Sequence, residues 1–132
     1  MARGSGLESY GATVLRIFLG VVYMMHAYLA VSVLGPQGTV AYQTAKGIPF
    51  PEIATWYLIV AQGLGGICLF LGVLVRLAAL VNVPIMAGAI FFVHMRQGFF
   101  MGKEGGYEYA FLVLGATIAQ ALLGAGAFTF RK

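Results

Sequence analysis

Four long apolar runs, at about 10–34, 53–75, 77–96 and 107–128, alternate with short breaks rich in glycine, proline or charge. Each is about 20 residues or longer, which is what a helix needs to cross the hydrocarbon of a bilayer. The most informative stretch is 62–76, QGLGGICLFLGVLVR, with glycines at 63, 65, 66 and 72. In water each of those glycines would weaken a helix by about 1 kcal/mol relative to alanine. In a bilayer no water competes for the backbone, so the helix survives, and bare glycine lets a neighbouring helix come close. Gln62, Gly65, Gly66 and Leu69 share one helical face, which marks it as a packing face. Glu108, Gly115, Ala119 and Leu122 are aligned in the same way on the fourth run, where Gly115 and Ala119 form a second small-residue pair.

The breaks refine this picture. Residues 35–52 contain GPQG and GIPFP; their middle, 39–46, is expected to form a short interfacial helix, and Pro49 and Pro51 an extended entry into the second span. Arg76 is expected in a tight turn between the second and third spans, Pro84 kinks the third, and 97–106 forms a loop. The first run follows a basic start, as a signal peptide would. It is too long for one and no clear Ala-x-Ala site follows, so it reads as a retained helix. The expected fold is all-α: one domain over 1–132, an integral membrane four-helix bundle.

Composition agrees. The chain is 61% hydrophobic and 9% charged, against about 25% charged for a typical soluble domain. The net charge of +4 comes from scattered residues flanking apolar runs, which suits the lipid bilayer as partner and not nucleic acid. Arg16 and Arg76 read as cytoplasmic anchors. With Arg3, Arg131 and Lys132 they outweigh Lys46, Arg96 and Lys103 on the other face, so both termini are expected in the cytoplasm. Cys68 is the only cysteine, which excludes an intrachain disulfide and a Cys-x-x-Cys pair.

Four polar residues fall in or beside the spans: His26, Gln62, His94 and Glu108. Such groups are costly in hydrocarbon and usually face the bundle or a cavity. All four fall in the outer half. His94 and Glu108 flank one loop, so they are expected close together at the mouth of a cavity reaching toward His26. Two histidines and a carboxylate suit several metals, but these come from separate helices without a spacing signature, and no metal site is expected. A quinone head group needs the same residues, with histidine as donor and glutamate as proton partner.

The order and spacing of several motifs resemble the DoxX family of small bacterial membrane proteins over nearly the full length. They are Arg16, Gly20 and His26; Gly47-Ile48-Pro49-Phe50-Pro51; Leu64-Gly65-Gly66; Leu71-Gly72; Arg76-Leu77-Ala78-Ala79; Val93-His94; Gly98-Phe99; and Gly106-Tyr107-Glu108-Tyr109. The resemblance implies a four-helix bundle in the bacterial inner (plasma) membrane, tied to redox systems as a small subunit of a larger complex, with quinone as the carrier in reach. Two positions depart from the family pattern: Ala30 stands where a lysine is usual, and Gln62 where a glutamate is common. A cation and an anion are lost together, which need not cost stability. Three function classes follow: an accessory subunit of a membrane-bound redox complex, a quinone-handling oxidoreductase component, and a small transporter or assembly chaperone.

Overall fold

The computed structural model describes residues 6–103 and 105–129. Their regular structure is helical, and among the described residues no β-strand forms. Helix α1 (Gly6–Tyr28) runs on through a wide π-helical segment, Leu29–Val33. A short helix α2 (Gly35–Ala45) precedes α3 (Pro51–Leu71). Helix α4 (Val75–Gly88) continues through a second π-helical segment, Ala89–His94, and a 3-10 turn, Met95–Gln97; α5 (Glu108–Leu123) follows. Prolines at the first turns of α2 and α3 start those helices where a missing N–H costs nothing.

Helix α1 packs mainly on α3, α3 on α4, and α4 on α5, while a lighter α5–α1 contact closes the ring. Segments Gly6–Val33, Pro51–Leu71 and Val75–Gln97 are long and apolar enough to cross a membrane. Helix α5 is apolar but has 16 residues, a length of about 24 Å at 1.5 Å per residue. Large apolar side chains point outward along the bundle, among them Phe18, Ile53, Leu112 and Leu122. A soluble monomer rarely leaves so much apolar surface uncovered.

The α1–α3 crossing explains the glycines of the second run. A Cβ on Gly66 would lie 2.9 Å from Met24 N and 3.0 Å from Gly20 O, and one on Gly20 would lie 2.8 Å from Gly66 O. The two backbones touch there, and nothing larger than hydrogen fits. Gly65 faces α4 instead, where an added Cβ would meet Asn82 Nδ2 at 2.8 Å.

Two helix ends fall short of the expected boundaries. The second span, expected to reach 75, ends at Leu71 because Gly72 takes φ of +83° and the Val73 N–H turns back to Cys68 O at 2.9 Å. Arg76 consequently sits in the first turn of α4 and not in the connecting turn. The fourth, expected to reach 128, ends at Leu123, where Gly124 and Gly126 adopt φ of +84° and +75°.

Arg16 causes the second early stop. It was expected as an anchor at a membrane face, yet it is 1% exposed. Its guanidinium donates from Nε to Ala125 O, from Nη1 to Leu69 O and Phe70 O, and from Nη2 to Ala127 O and Phe128 O. Five N–H groups thus meet five carbonyls. Two of those carbonyls belong to the last turn of α3, which lacks helical partners, and three to the segment after α5, which leaves the helix to reach them. Thr13 adds to the same cluster, donating to Ala127 O at 2.6 Å and accepting from Ala127 N at 2.8 Å. The exposed Arg76 extends toward Leu122 O at the end of α5.

Elsewhere the bundle core is also polar. Thr117 commits its hydrogen to Val113 O, so the fully buried Tyr23 hydroxyl donates to Thr117 Oγ1 and ties α1 to α5. Gln120 Nε2 reaches Ala12 O and Gly124 O, and Asn82 Nδ2 reaches Ala61 O and Ala78 O.

Candidate functional site

At the end away from Arg16, a cavity of about 560 Å³ lies between the second half of α1, the first half of α3, the second half of α4 and the start of α5, with α2 across it. Both π-helical segments line it: Leu29 and Ala30 from the first, Ala89, Phe92, Val93 and His94 from the second. Such wide turns interrupt regular side-chain spacing and recur at functional sites. Pro84, which lacks an N–H for the helix ladder, lies in the same wall.

Helix α2 is held on this cavity by its own polar residues. Thr39 Oγ1 donates to Ala30 O at 3.0 Å and Gly35 O at 2.9 Å, and Gln43 Oε1 accepts from Thr55 Oγ1 at 3.2 Å. Thr39, Tyr42 and Gln43 all line the cavity. The interfacial helix expected over 39–46 is α2, and it also contributes wall. The signal was present: Thr39 and Gln43, four residues apart, share a face.

Three of the four expected polar residues line the cavity: His26, Gln62 and His94. Gln62 is 3% exposed, and its Oε1 has no hydrogen-bond partner. His26 Nδ1 is 2.8 Å from Val22 O one turn back, and His94 Nδ1 is 2.8 Å from Gln97 Oε1. Most of the remaining wall is apolar. Ala30 and Gln62 both belong to it.

Glu108 does not line the cavity. Its Oε1 accepts from the Met101 N–H at 2.9 Å, while its own N–H donates to Phe99 O at 2.8 Å. It therefore organises the loop before α5, where Phe99 also packs edge-on against Phe100, Tyr107 and Phe111. His94 pairs with Gln97 and not with Glu108. The expected inward face of α5 is turned outward: Gly115 is exposed, with nothing within 4 Å of a built Cβ, and Ala119 is only half-buried. The buried positions are Ala110, Val113, Thr117 and Gln120. Thr117 and Gln120 need protein partners in an apolar medium, and that need sets the rotation of α5 more strongly than two small residues do. Tyr109 and Ala110 then face the cavity in place of Glu108. Among the described residues no three His, Cys, Asp or Glu side chains gather as a metal site.

The DoxX family profile matches residues 11–95, which takes in most of α1, all of α2 to α4, both π-helical segments and most of the cavity wall. The chain belongs to the DoxX family. A relative in Bacillus subtilis (strain 168), named "Putative oxidoreductase CatD", is 25% identical over 114 residues, or 86% of this DoxX chain and 79% of that protein. No solved structure matches the chain significantly. Family membership and three helices able to cross a bilayer make this a membrane protein.

Proposed function

We propose that this DoxX protein seats the ring of a lipid-soluble redox carrier of the quinone class, as a small accessory subunit of a membrane-bound redox complex. The observation that carries the reading is Gln62, a buried amide whose Oε1 is unpaired in the wall of a mostly apolar cavity. An unpaired buried polar atom costs about 1–3 kcal/mol, and a bound ligand with a matching group removes that cost. The cavity's volume falls within the about 300–1,000 Å³ common for small-molecule sites. A quinone would supply the redox chemistry when bound. The chain's own residues would orient it, with Gln62, His26 and His94 at ring oxygens and Leu29, Met86 and Phe92 on the ring faces. The oxidoreductase name of the Bacillus subtilis relative favours a redox setting. In this reading the protein spans the bacterial plasma membrane four times with both termini cytoplasmic, and the cavity lies in the outer half.

Lipid extracts of the protein purified in mild detergent test this. About one quinone-class molecule per chain is expected by mass spectrometry, with larger redox subunits co-purifying. Ala30→Trp, which fills the cavity from its wall, is expected to lose the quinone while the subunits remain. A protein that carries no quinone and binds none added in nanodiscs would overturn the reading.

A further inference from the structure

We propose that a second, apolar groove on the lipid side of the α3–α4 seam seats the hydrocarbon tail of the cavity's ligand. The ring then sits in the cavity, and its tail leaves the bundle between α3 and α4. This rests on a ring of the quinone class occupying the cavity, as proposed above, and adds the path of the rest of the molecule.

Cavity and groove meet at Tyr57. That residue lines both, and its hydroxyl donates to Val81 O across the seam. On α4 the cavity has Pro84 and Ile85, and the groove has Val81 and Ala78, about one and two turns back. From Tyr57 the groove, of about 210 Å³, follows α3 to Cys68, a distance of about 16 Å. Its floor is made of the buried Ala61, Gly65 and Ala78, between the larger, exposed Leu64 and Leu77. Asn82, fully buried against Gly65, donates to both Ala61 O and Ala78 O and so withdraws those two carbonyls from the groove. The Tyr57 hydroxyl is spent as well. What the groove offers is hydrocarbon and one thiol, which suits an apolar chain and not a head group.

The other ways out of the cavity are obstructed. Backbone touches backbone where Gly20 crosses Gly66 in the α1–α3 seam. Tyr23 and Thr117 tie α1 to α5, and Ala79, Met86, Ala110 and Val113 pack into one apolar core from α4 and α5. Helix α2 lies across the cavity. In a bilayer a hydrocarbon tail is already out of water, so a groove adds only close packing to what lipid offers. Such packing holds a chain when the same molecule is anchored beside it, because the anchor raises the tail's local concentration. A ring in the cavity is that anchor. A phospholipid is held at the headgroups and has none here.

The full-length protein in lipid nanodiscs provides the test. The probe is a benzoquinone whose decyl tail ends in a diazirine, and the competitor is the same ring without a tail, its own binding read by equilibrium dialysis. On illumination, adducts are expected on groove residues such as Val60, Leu64, Leu77 and Val81, and excess tailless ring is expected to lower them about tenfold. Leu77→Trp, at an exposed position on the rim, is expected to weaken the tailed quinone about threefold and to leave the tailless ring within about twofold. Thermal unfolding identifies a variant that fails to fold, and the adduct map of the unaltered protein stands without it. Adducts on another seam that the ring displaces, or none at all while the ring binds, would overturn the tail path and leave the proposed function intact. Groove adducts that the tailless ring does not displace would overturn it too, by showing that the groove takes any apolar chain. If neither the ring nor the tailed probe binds, both readings fall.

Discussion

A guanidinium inside a helix bundle that gives all five of its N–H groups to backbone carbonyls is an unusual way to place a charge. Lysine has the charge but three donors on a point-like head, and cannot fork toward two separate segments. Arg16→Lys is expected to cost about 2–4 kcal/mol, read as a lower midpoint of thermal unfolding in detergent, whereas Arg76→Lys, at an exposed site with one long contact, should change it little. Equal effects would mean that the carbonyl cluster contributes nothing. The sequence pointed to Arg16 but not to this role. It lies six residues inside the expected 10–34 span, about 9 Å from its start, and that depth was the clue. The partners were illegible because three of them are 109 to 112 residues away. Gln62 was readable as inward-facing because its own helix supplies the glycines that define the face.

Between elements, the same small residues mean opposite things on α3 and α5. On α3 the glycines coincide with a crossing where backbone meets backbone. Gly66→Ala is expected to destabilise by about 1–3 kcal/mol through overpacking. On α5 Gly115 has open space around it, so Gly115→Ala should be neutral or stabilise slightly through helix propensity, by up to about 1 kcal/mol. Thermal unfolding of the two variants side by side checks this, and a large loss from Gly115→Ala would mean that α5 presents that face to the bundle after all. Four apolar runs were visible in the sequence, as was the neighbourhood of the third and fourth across their shared loop. The rotation of α5 was not, since it depends on Thr117 finding Tyr23 and Gln120 finding Ala12 O. Those are pairings between helices that a single helical wheel does not contain.

For the molecule as a whole, withdrawing Arg16 into the interior narrows the charge bias used to orient it. Arg3, Arg76, Arg131 and Lys132 then stand against Lys46, Arg96 and Lys103, and only charges near the surface count toward orientation. Reporter fusions after Gly35 and Gly105 are expected outside and a fusion after Lys132 inside; a C-terminus outside would mean that the short α5 does not cross. The fold class was legible because the medium imposes it: an apolar chain with little charge has few structures open to it in lipid. The cavity was legible only in part. His26, Gln62 and His94 announced themselves, while Thr39 and Gln43 did not, and its shape depends on two π-helical segments and on α2 lying across it.

The carbonyl cluster at Arg16 also sets an order of events during synthesis. The donor is made in α1, and three of its five acceptors are made more than a hundred residues later. Until the ribosome delivers 125–128, that helix carries a charge whose neutralising dipoles do not yet exist. It must wait near the headgroups, where an arginine can keep its head in water, and settle inward only once 125–128 have been made. A nascent chain stalled before that segment would therefore leave α1 without the dipoles that hold its arginine, and 125–128 would act as the release signal for a helix made more than a hundred residues earlier.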